Sequence, residues 1–163
     1  VRSDCHRGTT WAPVGQTPEV EDSGDRFTLK MISAVSARGD MRFSFIRGRM
    51  NSDGFIAFLK KLREDAGCPI IVVADNASYH KSGKVLAYGE KEGVEIALLP
   101  TYSPELNPDE QVWNHAKRRL GKLFVVTKDE MKSALLGIMR SIQKSKSLVM
   151  SFFRLPTTLY AQH

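Results

Sequence analysis

Two carboxylate side chains stand where this sequence could perform chemistry. Asp75 directly follows the apolar run Ile70–Ala74, and Glu110 lies near the start of a predicted helix, with 34 residues between the two. Ligands of open α/β sheets bind beyond the carboxyl ends of the strands, which is where Asp75 falls. Carboxylate oxygens suit Mg²⁺ and Mn²⁺, ions that assist phosphoryl transfer. The pair is therefore a candidate metal site for phosphate chemistry.

Each of these acids also has an interpretation that needs no function. Asp75 followed by Asn76 is typical of an Asx turn at the end of a strand. Asn107 as the N-cap, Pro108 at the first helical position and Glu110 two positions later form a helix-start signal. Residue types alone favour the turn for Asp75 and the helix start for Glu110 over a metal site.

The hydrophobic pattern predicts four strands and four helices around these acids. Alternating apolar residues predict a hairpin from Phe27 to Phe45 that turns at Arg38–Asp40. The unbroken β-branched run Ile70–Ala74 predicts a strand covered on both faces. The other predicted elements are helices over 51–67 and 82–92, a strand over 94–99, and helices that begin at Asn107 and Thr127. The order β-β-α-β-α-β-α-α indicates an α/β fold with a mixed sheet flanked by helices.

Length and composition are those of a single globular domain over residues 1–163, of which residues 1–26 are expected to be largely irregular, with short strand pieces around Thr9–Ala12. No apolar run is long enough to span a bilayer, so we expect no membrane partner and a cytoplasmic location. The two cysteines, Cys5 and Cys68, lack metal-site spacing and are expected to be reduced thiols. A zinc site built from them with His6 and His80 is not favoured.

The charge is distributed unevenly along the chain. Residues 1–110 hold 14 Lys and Arg against 16 Asp and Glu, whereas residues 111–163 hold 10 against 2. This asymmetry favours a polyanionic partner for the last third of the chain, although a solvated basic helix surface would give the same count. The candidates for phosphate contacts are Lys117, Arg118, Arg119 and Lys122, whose alternative role is a favourable interaction with the helix dipole.

Two longer motifs add a family resemblance. Asp75-Asn-Ala-Ser-Tyr-His80 and Leu98-Leu-Pro-Thr-Tyr-Ser-Pro-Glu-Leu-Asn-Pro-Asp-Glu-Gln-Val-Trp113 resemble the signature of Tc/mariner-like DNA transposases, closest to their bacterial insertion-sequence branch. Trp11-Ala-Pro-Val-Gly15 is similar to the segment that follows the family's first acid. The resemblance implies an RNase H-like fold with three metal-binding acids, of which Asp75 is the second and Glu110 the third.

The resemblance also implies a mechanism and supporting residues. Two Mg²⁺ or Mn²⁺ ions about 4 Å apart would assist an in-line displacement at phosphorus. Asn76, His80 and Asn107 would support the acids, although a hydrogen-bonded or surface role is favoured for His80 over a phosphate contact. Asp109 occupies a usually apolar position before the third acid, and we assign it no metal.

One departure from the family concerns the first acid, which ends the first β-strand of the domain. No strand precedes the Trp11 segment, and only three residues precede Asp4. We therefore expect the first strand and its Asp to lie upstream of Val1, together with any helix-turn-helix module. The chain by itself is then expected to be nearly or wholly inactive.

The preferred functional hypothesis is the catalytic domain of a bacterial cut-and-paste transposase that cleaves and transfers DNA strands. Its expected partners are transposon ends, target DNA and a second copy of the chain. The first alternative is a catalytically dead remnant that binds DNA or self-associates. The second alternative is an RNase H-like nuclease acting on RNA–DNA hybrids, which the Leu106-Asn-Pro-x-Glu110-x-x-Trp113 motif argues against.

Overall fold

The structure is a computed structural model that describes residues 28–123 and 125–162. The segment 1–26 that is predicted to be irregular lies outside the described residues. So do the strand pieces around Thr9–Ala12, the Trp11–Gly15 motif and the candidate zinc ligands Cys5 and His6. The predictions for these residues stay predictions.

The described chain contains four strands and five α-helices. They are β1 (Met31–Val35), β2 (Met41–Phe45), α1 (Ser52–Ala66), β3 (Ile70–Ala74), α2 (Gly83–Glu92), β4 (Val94–Leu98), α3 (Pro108–Leu120), α4 (Lys128–Lys144) and α5 (Lys146–Ser151), with short 3-10 helices at Pro104–Leu106 and Leu159–Gln162. The predicted order is confirmed as far as α4. Helix α5 and the 3-10 helices are too short to show a periodic apolar stripe, so the pattern did not predict them.

The predicted hairpin is confirmed from Met31 to Phe45, and Phe27, where its prediction begins, lies outside the described residues. Strands β1 and β2 pair antiparallel, with Met31 opposite Phe45. At the turn Gly39 has a φ of 86°, a left-handed conformation that glycine adopts readily. A β-carbon on Gly39 would also lie 2.8 Å from the carbonyl oxygen of Lys146, so the turn packs closely against the start of α5.

Strands β3 and β4 form a second, parallel pair, with Ala74 opposite Leu98. Within the described residues the two pairs are separate two-stranded sheets, so the single mixed sheet that was predicted is not observed there. The hydrophobic pattern identifies strands but carries no information on which edges pair. Helix α2 lies so close against β4 that a β-carbon on Gly89 would come within 2.3 Å of the Val94 carbonyl oxygen.

The expectation that β3 is covered on both faces is wrong for the described structure. Ile70 and Val72 pack against the apolar cluster formed by α1, α2 and the start of β4. Ile71 and Val73 point the other way and are 67% and 39% exposed. An unbroken β-branched run contains no polar residue to mark the open face, so the sequence could not show the difference.

The hydrophobic core consists of two clusters. The larger one lies among α3, α4, α5 and the β1–β2 hairpin, with Leu135, Met139 and Ile142 fully buried at its centre. The smaller one lies between the β3–β4 pair and helices α1 and α2, around Leu59 and Val85. Among the described helices none is long and apolar enough to cross a membrane. The two candidate acids lie on different parts of this arrangement, at the end of β3 and at the start of α3.

Candidate functional site

Asp75 is the first residue after β3, and its carboxylate faces solvent. The backbone N–H of Ala77 donates to Asp75 Oδ1 at 3.0 Å, so the Asx turn that the residue types favour is present. The side chain is nevertheless 66% exposed. Asp75 Oδ2 makes no hydrogen bond or ion pair with the described residues, so this turn leaves one carboxylate oxygen free to bind a ligand.

His80 holds Asp75 in place from the protein interior. Its Nδ1 lies 2.8 Å from Asp75 Oδ1 and 2.9 Å from the Asp75 carbonyl oxygen. Because both oxygens can only accept, Nδ1 carries the proton and donates. The imidazole is buried between the rings of Phe55 and Tyr79, each with its centroid 4.3 Å away. His80 is therefore hydrogen-bonded, as the favoured interpretation has it, but it is not a surface residue.

Asn76 joins the ends of the two parallel strands. Its Nδ2 donates to the Leu99 carbonyl oxygen at 3.0 Å, and Lys81 Nζ donates to its Oδ1 at 3.3 Å. The Leu99 N–H in turn donates to the Ala74 carbonyl oxygen at 2.8 Å. Both ends of the Asn76 amide are thus engaged within the protein, and the residue fixes the loop that carries Asp75.

Glu110 lies in the first turn of α3, but its carboxylate does not cap that helix. Asn107 Oδ1 accepts the Asp109 N–H at 3.0 Å, while the Asn107 N–H donates to the Pro104 carbonyl oxygen at 3.0 Å. The backbone donor that a capping glutamate would use is therefore already satisfied. Glu110 is half-buried and makes no side-chain hydrogen bond or ion pair with the described residues.

Glu130 occupies in α4 the position that Glu110 occupies in α3, and there the carboxylate does cap the helix. At the start of α4 its Oε2 accepts the N–H of Val126 at 2.9 Å and of Thr127 at 3.1 Å, and Thr127 Oγ1 accepts the Glu130 N–H at 3.2 Å. These backbone hydrogen bonds lower the pKa of Glu130. The sequence predicts equivalent starts for α3 and α4, and that prediction is wrong at Glu110, whose carboxylate is left available.

The sequence interpretation gave Asp109 no metal and missed its structural role near the site. Its Oδ2 accepts from Ser33 Oγ at 2.8 Å and from Trp113 Nε1 at 3.0 Å, which ties the start of α3 to β1. Its Oδ1 is buried without a hydrogen-bond partner in the described structure. Burial raises the pKa of this carboxyl to about 6. The i, i+4 spacing of Asp109 and Trp113 could have suggested their contact, whereas Ser33 is 76 residues away in sequence.

The loop between β4 and α3 contains an unusual backbone conformation. Tyr102 has a φ of 60° and is the one non-glycine residue with positive φ in the described chain. For a side chain with a β-carbon this left-handed conformation costs about 1–2 kcal/mol. The loop leads from the β3–β4 edge, where Asp75 lies, to the helix that carries Glu110.

The described residues contain no group of three or more His, Cys, Asp or Glu that is arranged to hold a metal ion. Asp75 and Glu110 are therefore a pair of candidate ligands, one directly after β3 and the other in the first turn of α3. Cys68 is a free, exposed thiol. The case for a metal at Asp75 and Glu110 therefore depends on the chemistry of their oxygens, which suits hard divalent cations, and on both carboxylates being available.

The basic residues predicted to contact DNA lie at the end of α3. Lys117, Arg118 and Arg119 are exposed in its last turn and Lys122 follows it. Arg119 reaches α4, where it donates to Ser141 Oγ at 3.1 Å.

This positive charge is not neutralised within the described structure. Beyond residue 110 the ion pairs of the described residues include one basic side chain, Lys146, which lies 3.4 Å from Asp40. Earlier in the chain the basic partners in such pairs are Arg42, Lys60, Lys84 and Lys91. Burial and the nearby Arg119 and Arg118 lower the pKa of His115 on the same helix. An unpaired positive surface of this kind attracts anions.

Comparison with known proteins places these features in a family. The sequence profile of the DDE superfamily endonucleases matches residues 1–132. The Tc1 transposable-element transposase of Caenorhabditis elegans is 23% identical over 141 residues, which are 85% of this chain and 52% of the relative. The chain thus spans about half the length of that curated relative.

Solved structures show the same fold. The Mos1 strand transfer complex superposes with a TM-score of 0.64 at 17% identity, over 96% of this chain and 50% of the Mos1 chain. The Mos1 transposase catalytic domain, solved with raltegravir and Mg, superposes with a TM-score of 0.54 at 13% identity, over 83% and 82% of the two chains. At these identities the likeness shows the fold alone.

Proposed function

Because this chain belongs to the DDE superfamily of endonucleases, we propose that it is the catalytic domain of a DNA transposase that cleaves and transfers DNA strands. The observation that carries the proposal is the family match over residues 1–132, which includes both Asp75 and Glu110. The Tc1 relative is itself a transposase. The likeness to Mos1 supports the RNase H-like class for the fold.

Asp75 and Glu110 would hold the divalent metal ions that this chemistry needs. Both are carboxylates that the local fold leaves available, and the similar Mos1 domain was solved with Mg. Bound Mg²⁺ or Mn²⁺ would polarise the reacting phosphate and stabilise the leaving oxygen. His80 and the Ala77 N–H keep Asp75 oriented before any ligand arrives, and Asn107 starts the helix that presents Glu110. We further propose that the first acid of the set lies outside the described residues.

DNA is the proposed partner of the basic residues at the end of α3. Lys117, Arg118, Arg119 and Lys122 would contact phosphates, since their charge has no carboxylate partner among the described residues. The contact between Arg119 and Ser141 extends this surface onto α4, whose exposed Arg140 and Lys144 flank Ser141. Transposon ends and target DNA are the expected duplexes. Pairing of ends by a homodimer and a bacterial insertion-sequence origin belong to the same proposal, and the family resemblance of the two sequence motifs supports them.

A charge placed in the middle of this surface tests the contact with DNA. Gly137 lies on the exposed side of α4, one turn before Ser141, and a β-carbon there would meet nothing within 4 Å. We expect Gly137→Glu to weaken duplex binding roughly 3- to 10-fold at 0.1 M salt, because it adds repulsion and neutralises Arg140, its i+3 neighbour on α4. Fluorescence anisotropy with a labelled duplex, repeated at several salt concentrations, measures the change.

Gly137→Gln is the matched control, because it has the same shape without the charge. Both variants are expected to unfold at a higher temperature than the parent, since glycine inside a helix costs about 0.5–1 kcal/mol relative to alanine. Ala57→Glu on exposed α1 adds the same charge elsewhere and should leave duplex affinity unchanged. Equal weakening by Gly137→Glu and Ala57→Glu would rule out a specific role for the α3–α4 surface.

Metal-dependent cleavage of labelled DNA tests the proposed activity itself. Mn²⁺ is added to this chain and to a version extended upstream of Val1. We expect the longer chain to cleave and the shorter one to be nearly inactive. The second candidate function, a DNA-binding module without catalysis, is favoured by the exposed basic residues at the end of α3, which could bind DNA whether or not a metal ion is held. Binding by both chains without cleavage by either would support that second function.

A further inference from the structure

Tyr102 is the most exposed large apolar or aromatic side chain in the described structure. It is 96% exposed, compared with 67% for Ile71, the next in order. The residue lies in the loop between β4 and the 3-10 helix Pro104–Leu106. Its ring packs against no other described aromatic ring, and its hydroxyl makes no hydrogen bond with a described residue. The ring therefore contributes nothing visible to the stability of the described fold.

Tyr102 also has a left-handed backbone conformation, which is unusual for a residue other than glycine. Its φ of 60° is unfavourable for any residue with a β-carbon, and no packing of its side chain compensates for that conformation. The loop is held at both ends, since the Leu99 N–H donates to the Ala74 carbonyl oxygen and the Leu106 N–H to the Ser103 carbonyl oxygen. A strained residue held in this way is found most often where the strain serves binding or catalysis.

The position of Tyr102 relates it to the proposed metal site. Three residues before it, Leu99 is bonded both to Ala74 and to Asn76, the neighbours of Asp75. Eight residues after it comes Glu110. The chain segment that carries Tyr102 thus starts at the edge of the β3–β4 pair that bears one acid and ends in the helix that bears the other.

We propose that Tyr102 is a stacking platform for an unpaired base of the DNA held at this site. An exposed aromatic ring stacks well on a nucleobase, and this contact tolerates any base because every base has a π-face. In an intact duplex both faces of a base are already covered, so the ligand is a single-stranded or unpaired nucleotide. Holding the ring outward in advance reduces the ordering needed on binding. The inference rests on the proposed function in DNA cleavage.

The test uses a short single-stranded oligonucleotide with one 2-aminopurine, whose fluorescence falls when the base stacks on an aromatic ring. The full chain is titrated without divalent metal ions. We expect quenching by the parent and by Tyr102→Phe. Tyr102→Gly is expected to lose the quenching and to bind the oligonucleotide roughly 5- to 100-fold more weakly, the range that base–aromatic stacking contributes.

Tyr102→Gly also separates recognition from folding. Glycine relieves the left-handed conformation, so this variant should unfold at a higher temperature than the parent while binding single strands less well. A purely structural role for Tyr102 would lower the unfolding temperature instead. Single-strand binding by Tyr102→Gly equal to that of the parent would overturn the proposal, as would equal losses in Tyr102→Phe and Tyr102→Gly, or no quenching by the parent.

Binding to a duplex of the same length distinguishes this proposal from the function on which it rests. The duplex is expected to bind all three chains equally, because the basic residues of α3 and α4 contact its phosphates. The Tyr102 variants could leave single-strand binding unchanged while the parent still binds duplex and cleaves it with metal ions. That result would contradict the stacking proposal but not the proposed function. Loss of cleavage in the Asp75 and Glu110 variants is independent of either result.

Discussion

Asp75→Asn and Glu110→Gln are each expected to lower Mn²⁺-dependent DNA cleavage by more than about 100-fold in the chain extended upstream of Val1. Loss of a residue that merely supports a metal ligand costs about 10- to 100-fold in metal affinity or activity, so loss of the ligand itself should exceed that range. Both variants keep the size and shape of the side chain. Single-turnover cleavage of an end-labelled duplex at saturating protein measures the loss.

The same assay needs a control for folding. Glu110→Ala and Glu130→Ala change the same helical position in α3 and α4, but Glu130 closes a capping box and Glu110 does not. We expect thermal unfolding of the Glu130 variant at a lower temperature and no decrease for the Glu110 variant. Cleavage should be lost in the Glu110 variant and retained in the Glu130 variant. A Glu110 variant that unfolds early would mean that this glutamate is a structural residue after all.

The second large effect concerns Asp109 and pH. In the folded chain its pKa is about 6, because burial disfavours the charged form, whereas 3.8 is the usual value. The folded state therefore binds this proton more tightly than the unfolded state. The resulting stability is fully present below about pH 4 and is lost as pH rises through 6. At about 1.4 kcal/mol per pKa unit the loss is about 3 kcal/mol.

Asp109→Asn isolates this contribution. The amide oxygen can accept from Ser33 and Trp113, and the amide nitrogen replaces the oxygen that has no partner. Urea unfolding of the parent and the variant between pH 4 and pH 7 should show the variant gaining about 2.5 kcal/mol relative to the parent across that interval. A difference that stays constant with pH would mean that Asp109 is not a buried carboxyl with a raised pKa.

Much of the fold could be predicted because its signals are local. The N-cap of α1 at Asn51 and the left-handed caps at Gly67 and Gly93 are present where residue types place them. The hairpin turn at Gly39 is also where the sequence predicts it. Such signals depend on neighbours within four residues, so a single sequence contains them.

The errors concern contacts between distant parts of the chain. The exposure of Ile71 and Val73 depends on which elements cover β3, and the apolar run looks the same in either case. The motifs Asp75–His80 and Leu98–Trp113 located the candidate acids, but they did not show that the Asn107 N–H is already bonded and leaves Glu110 free. The spacing of Asp75 and Glu110 along the chain does not set the distance between their carboxylates, because that distance depends on how the loop between β4 and α3 folds.

Paramagnetic broadening of backbone amide signals by Mn²⁺ tests the central claim most directly, because it detects even weak binding and needs no catalysis. A ¹⁵N-labelled sample of this chain is titrated with MnCl₂, and the same titration is repeated with Asp75→Asn. We expect the signals of residues 75–77 and 109–111 to broaden together at the lowest Mn²⁺ concentrations, and both sets to remain sharp in the variant. Broadening of only one set, or broadening of 109–111 that persists in Asp75→Asn, would contradict a shared metal site.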